Sequence, residues 1–198
     1  MGVFQPERRG RSDGPWNGGS LMTQPGIRSG TIAVDFLTPT HRISAQMTLR
    51  GRVLADVLND VRTSFLPLEA VFLSRLEEPA RILKSFGAAI LSKNHITMAI
   101  VNVGVELAVK AISPTYGTRK VYGVFATIPG FEIEGAMEFH GRPDLHALLV
   151  TNVERFLPIL NAQVVMTGRP ESRFAGELIF INRDFIGLFS LSGEVAQG

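Results

Sequence analysis

The chain resembles itself. Shifted by about 90 residues, the sequence from position 31 onward falls on its own second half, and such self-similarity has to be settled before any other fold argument. Pro39 falls on Pro129, Ile43 on Ile133, Met47 on Met137, and Gly51-Arg52 on Gly141-Arg142. After one inserted residue Leu54 and Leu58 meet Leu145 and Leu149, and Phe65-Leu66-Pro67-Leu68 meets Phe156-Leu157-Pro158-Ile159. The insertion is then lost, so that residues 90–96 lie on residues 180–186. A collinear set with two Phe-Leu-Pro segments and two Gly-Arg pairs predicts tandem duplication of a module of roughly 70 residues, within the range of small domains.

Each module reads as two strands, a short helix and three further strands. Residues 31–37 and 41–49 are apolar and partly alternating, with Ile43, Ala45, Met47 and Leu49 on one face, as a half-buried strand requires. Phe131, Ile133, Gly135, Met137 and Phe139 repeat that face. The period then changes: Val53, Leu54, Val57, Leu58 and Val61 follow helical spacing, as do Leu145, Leu148, Leu149 and Val153 after the helix-starting Pro143-Asp144. Proline ends each helix at Phe-Leu-Pro, and the two aromatics, Phe65 and Phe156, are expected to plug one end of a barrel. Strands over 70–76 and 163–167 lead through loops at 77–81 and 168–173 to final hairpins that turn at Ser92-Lys93-Asn94 and Asn182-Arg183-Asp184. An extra strand is expected over 103–112.

The predicted fold is mainly β with short helices (α+β), a tandem duplication of a small Sm-like or SH3-like β-barrel or roll. Its boundaries are a disordered tail at 1–30, a first module at 31–112, a linker at 113–120 and a second module at 121–198. A module of this size is marginal alone, so an interface shared between the two is expected.

Charge limits the partners. Arg8, Arg9, Arg11 and Arg28 against Glu7 and Asp13 give the tail the whole net charge of +2, leaving a neutral body. A neutral body lacks the basic excess of a protein that displaces phosphate counterions regardless of sequence. The tail has Pro6 where a myristoylation motif needs Ser or Thr, and no apolar stretch follows its arginines to make a secretory signal; Met22 is a second candidate start. No window approaches the ~18 uncharged apolar residues of a membrane span, so a soluble, cytoplasmic protein with no membrane partner is expected.

The final hairpins resemble the second signature of Sm-like domains, an apolar strand, a basic turn residue and a second apolar strand, here Ala89-Ile90-Leu91-Ser92-Lys93-Asn94-His95-Ile96. Asn94 and Asp184 stand where that signature has Gly, and the helix follows the second strand instead of preceding the first. The resemblance covers about 12 residues per module and implies a small barrel that extends its sheet into a ring, with a basic turn facing the pore in RNA-binding members. The pattern from Leu54 to Asn59 with Phe65 to Leu68 is also similar to bacterial domains of unknown function, which implies no activity.

Catalytic chemistry has little to work with. The chain has no cysteine, which excludes thiol nucleophiles and Cys-based metal sites. His41 and His95 are replaced by Phe131 and Phe185 in the second module, and His140, Asp144 and His146 match neither helical nor strand spacing for a metal. No nucleophile motif or phosphate-binding glycine loop is present. No catalytic residue, metal or cofactor is therefore expected. The candidate contacts for ligand or nucleic acid are Lys93, Asn94, Arg183 and Asp184, because basic side chains on equivalent turns could meet an anion on one face. The expected function is a non-enzymatic scaffold or oligomerising binding protein. Its partners are proteins or its own copies, as a dimer or a three-chain ring of six modules. An Sm-like RNA-binding protein and a small-molecule sensor binding between the modules are the alternatives.

Overall fold

The computed structural model describes residues 30–102, 104–109 and 119–194. The predicted tail up to residue 29 and the linker positions 113–118 lie outside them. Eleven elements carry the fold: β1 (Thr31–Leu37), β2 (His41–Thr48), α1 (Leu54–Asn59), β3 (Phe65–Arg75), β4 (Glu78–Ser92), β5 (Met98–Val101), β6 (Arg119–Ile128), β7 (Phe131–His140), β8 (Phe156–Met166), β9 (Arg169–Asn182) and β10 (Leu188–Glu194). Short helical turns at Lys93–His95, Val105–Leu107, Ala147–Thr151 and Arg183–Phe185 complete it. The protein is mainly β, as its alternating segments predict.

All the strands among the described residues belong to one antiparallel sheet of ten, in the order β10-β6-β7-β8-β9-β5-β1-β2-β3-β4. The sheet is open, with β10 and β4 as its two edges. Counted within each half, the strand order is the same, and the halves join where β9 pairs with β5 from Met98↔Ile181 to Val101↔Leu178. Two apolar clusters fill the sheet, and each borrows from the other half. Phe156, Leu178 and Phe180 of the second half pack in the first cluster with Phe36, Met47, Leu58 and Leu68. Leu37, Leu76, Met98 and Ile100 of the first half pack in the second with Phe131, Ile133 and Val164.

The repeated sequence signals have local causes. Gly51 and Gly141 sit at φ 78° and 80°, left-handed backbone that glycine adopts without a Cβ clash. Ala70 and Asn161 share φ 47° as the extra residues of two bulges. The first lies where the β2–β3 register jumps between Ser44 and Gln46, the second where β7–β8 jumps between Glu134 and Ala136. Opposite the second bulge the backbone is so close that a Cβ on Gly135 would come within 2.5 Å of Ile159 Cγ2 and 2.9 Å of the Leu160 carbonyl oxygen.

Several local expectations change. The Phe-Leu-Pro segments begin strands, with Pro67 opposite Ile90 and Pro158 opposite Phe180, because a proline at a strand start gives up only one ladder donor. The predicted loops at 77–81 and 168–173 shrink to tight turns, since β4 and β9 begin at Glu78 and Arg169. Residues 105–107 form a helical turn in place of the expected strand. The helix expected after Pro143-Asp144 is a two-residue helical start that widens into the turn at Ala147–Thr151. Phe156 is fully buried as expected, whereas Phe65 is 60% exposed.

Candidate functional site

The turn at Lys93–His95 does not present its lysine to solvent. Helix α1 ends with main-chain carbonyls that no further turn can satisfy. Lys93 Nζ fills that need, donating to the carbonyls of Val57 at 2.6 Å and Asp60 at 2.9 Å and to Thr63 Oγ1 at 3.0 Å. Its side chain is buried, and that burial pushes the ammonium below its usual range; nearby Asp60 pulls it back up, and Arg52 and Arg155 add to the lowering.

Arg183 takes the same inward course in the second half. Its Nη1 donates to the Asn152 carbonyl, and its main-chain N–H bonds the Arg155 carbonyl at 2.8 Å, as the Lys93 N–H bonds the Ser64 carbonyl at 2.9 Å. Repetition of a basic residue on the two turns thus anchors the connection that precedes β3 or β8 in its own half.

Asn94 and Asp184 are brought together by a residue the sequence did not single out. Arg155 Nη1 donates to Asn94 Oδ1 at 2.6 Å and its Nη2 pairs with Asp184 at 2.7 Å. Asn182 is fully buried beneath it, donating from Nδ2 to the Ile96 carbonyl at 2.8 Å and accepting from Arg155 Nε at 3.3 Å. Asn59 completes the lock through the main chain of Arg155 and Phe156. The four predicted contact residues therefore cluster around the junction of the halves, with both cations turned inward and both polar partners engaged by Arg155. What this arrangement does chemically is hold the two halves in register. A signal for it did exist: Asn59, Arg155 and Asn182 stand opposite Val150, Ser64 and Ser92, so the junction residues are positions where the two halves differ.

On the far side of the junction a cleft of about 540 Å³ opens between the hairpin turns of the two halves. One wall is polar, with Thr40, His41 and Arg75; the other is apolar, with Pro129, Phe131 and Met166. His41 Nδ1 lies 2.8 Å from Thr40 Oγ1, and the carbonyl of Glu77, which also lines the cleft, accepts from Arg169 Nη1 at 2.9 Å.

The sheet edge offers a different surface. β4 is exposed along nearly its whole length and shows Ile82, Leu83, Phe86 and Ile90, with Phe65 and Phe72 of β3 beside them. Arg52 is engaged elsewhere, in an ion pair with Asp60 at 2.9 Å.

No family model, curated protein or solved structure matches the chain. Among the described residues no three His, Asp or Glu side chains converge as a metal site, and no helix is long and apolar enough to cross a membrane.

Proposed function

We propose that the protein is a non-enzymatic, cytoplasmic scaffold that binds other polypeptides by strand addition at the outer edges of its sheet. It is built from two duplicated modules of a small, bent β-roll similar to Sm-like domains. The duplication is supported by the shared strand order, the matched bulges at Ala70 and Asn161 and the matched turns at Lys93 and Arg183. The observation that carries the function is the outer strand β4: an edge with no further strand beside it among the described residues, bearing Ile82, Phe86 and Ile90, is a template for strand addition. Main-chain bonds give such additions affinity, and alternate side chains give them specificity. RNA binding through Lys93 and Arg183 loses support, because Lys93 Nζ is buried on Val57, Asp60 and Thr63 and Arg183 Nη1 is engaged by the Asn152 carbonyl.

A photo-crosslinking residue placed at Ile82 and, separately, at exposed Val150 tests this in cells. Protein adducts from position 82 and none from 150 are expected. RNA adducts, or no adducts from position 82, would overturn the reading.

A second reading, a small-molecule site between the modules, is favoured by the cleft, whose volume falls in the range of ligand sites and whose walls combine apolar surface with Arg75 and His41. A rise in melting temperature with an aromatic carboxylate such as 2-naphthoate, lost in Arg75→Ala, is its test.

A further inference from the structure

The edge-binding reading leaves the occupant of β4 unnamed, and the molecule contains a template for it. At the internal junction β9 pairs with β5, and the large side chains of β8 and β9, Phe156 and Phe180, pass into the apolar cluster of the other half, where both are 0% exposed. Their counterparts by ladder position are Phe65 and Ile90, as the matching pairs Pro67↔Ile90 and Pro158↔Phe180 establish. These counterparts are 60% and 74% exposed. The same two strand positions are thus fully covered at the inner junction and bare at the outer edge.

Resting on that reading, we infer that β4 of one copy pairs with β10 of a second copy, head to tail, in the register of the β9–β5 junction. Replacing each residue of that junction by its counterpart gives the contacts Leu188↔Leu91, Phe189↔Ile90, Ser190↔Ala89 and Leu191↔Ala88. Phe65 and Ile90 then enter the second apolar cluster of the neighbouring copy, beside Phe189 and Leu191, which already pack there.

Side-chain volumes support the same pairing. At the inner junction Gly176 leaves no room for a Cβ, which would meet Ile100 Cγ2 at 2.8 Å. The counterpart of Gly176 is Phe86, since Gly176 lies opposite Ala162 and Phe86 opposite Val71. The counterpart of Ile100 is Ser190, since Ile100 lies opposite Asp35 and Ser190 opposite Phe125. Where one junction sets a small residue against a large one, the other sets a large one against a small one, so total volume is kept while the owner of the bulk is exchanged.

A head-to-tail contact uses different surfaces on its two copies and propagates until it closes. Closure with three chains gives the six-module ring in which no sheet edge stays open.

The absence of cysteine makes the register directly testable. Ser190→Cys and Ala89→Cys are small changes at positions that the inference makes direct neighbours, within reach of a disulfide. Oxidising an equal mixture of the two full-length variants should give a product of two chains, and neither variant alone should do so. Ser190→Cys with Ala88→Cys should fail, because a one-residue slip turns the side chain to the opposite face. Sedimentation velocity at micromolar concentration should show a species of about three times the 21.6 kDa chain, reduced to the single chain by Ile90→Lys, which is exposed within a copy and leaves its far-ultraviolet spectrum unchanged. A wild-type single chain at every micromolar concentration, with no Ser190–Ala89 product, overturns the inference. If position 82 still captures another protein in cells, strand addition survives that outcome; if it does not, both fall.

Discussion

The side-chain amide of Asn59 grips the main chain of Phe156 from both sides, with Oδ1 accepting its N–H at 2.8 Å and Nδ2 donating to its carbonyl at 3.2 Å. Oδ1 also accepts the Arg155 N–H at 2.9 Å. One asparagine at the end of α1 thus satisfies the chain where β8 starts, and does for the second half what a neighbouring strand would do. Net hydrogen bonds contribute about 1 kcal/mol each, and partial access of water lowers the sum. Asn59→Ala should therefore destabilise by about 2 kcal/mol in urea unfolding. A change of about 0.5 kcal/mol or less would mean that water replaces the amide freely.

The two phenylalanines of the repeated segment give the sharpest contrast. Phe156→Ala opens a cavity in the first apolar cluster and should cost about 3 to 5 kcal/mol. Phe65→Ala removes a side chain that is 60% exposed within one copy, and should cost under about 1 kcal/mol at concentrations where the chains are separate. At concentrations where copies associate, its cost should rise toward that of Phe156→Ala. Equal costs at both concentrations would detach Phe65 from any interface.

Much of this architecture is legible in the sequence, and the reasons it is not fully so are local. Alternation over residues 41–49 and 131–139 sets strand and face, and Gly51 and Gly141 mark left-handed turns, because backbone geometry restricts both to few residue types. Phe65 is exposed where burial is expected, because an apolar pattern marks side chains suited to cover and does not say what covers them. Lys93 turns inward for a reason the linear pattern does not carry. A lysine on a turn between two strands reads as a candidate contact for an anion, and only the three-dimensional end of α1 supplies the carbonyls that draw it inward. The junction residues Asn59, Arg155 and Asn182 carry no repeat signal because they stand opposite Val150, Ser64 and Ser92, where the halves differ.

Ala70 is held at φ 47° by its bulge, a conformation that costs an L residue roughly 1–2 kcal/mol. Ala70→Gly removes that strain but adds about 0.5–1 kcal/mol of unfolded-state freedom. The net expectation is a gain of about 0.5 kcal/mol. Asn161→Gly, at the matching place, should be near neutral, since asparagine tolerates this region. Thermal unfolding of the two variants side by side measures the difference; a loss at Ala70→Gly would show that its methyl group packs.

Asp60 should govern part of the acid sensitivity. The Arg62 guanidinium first, then the Arg62 main-chain N–H and Arg52, hold its carboxyl well below the usual carboxylate range, against an opposing push from burial. A depressed folded-state value means that the unfolded chain takes up the proton first. The stabilisation is fully present above the unfolded value near ~4 and is lost as pH falls below it. Asp60→Asn should therefore flatten the fall in stability below about pH 4 while lowering stability at pH 7. Parallel curves for variant and wild type across that window would show that Asp60 carries none of it.

Lys93→Met sets two effects against each other. The substitution removes the cost of burying an ammonium, which acts in its favour, and it keeps an unbranched apolar stem in the same space. It also strips a donor from the carbonyls of Val57 and Asp60 and from Thr63 Oγ1. Those carbonyls belong to the end of a six-residue helix, too short to persist without its anchors. Hydrogen bonds to a charged donor contribute about 1.5–3 kcal/mol each before desolvation is set against them, so the loss of three outweighs the relief of one buried charge. Lys93→Met should lower stability by about 2 kcal/mol and speed amide exchange over residues 54–63, while leaving β6 and β7 unaffected. If stability is unchanged and exchange over 54–63 is no faster, the lysine is not what holds α1 against the sheet.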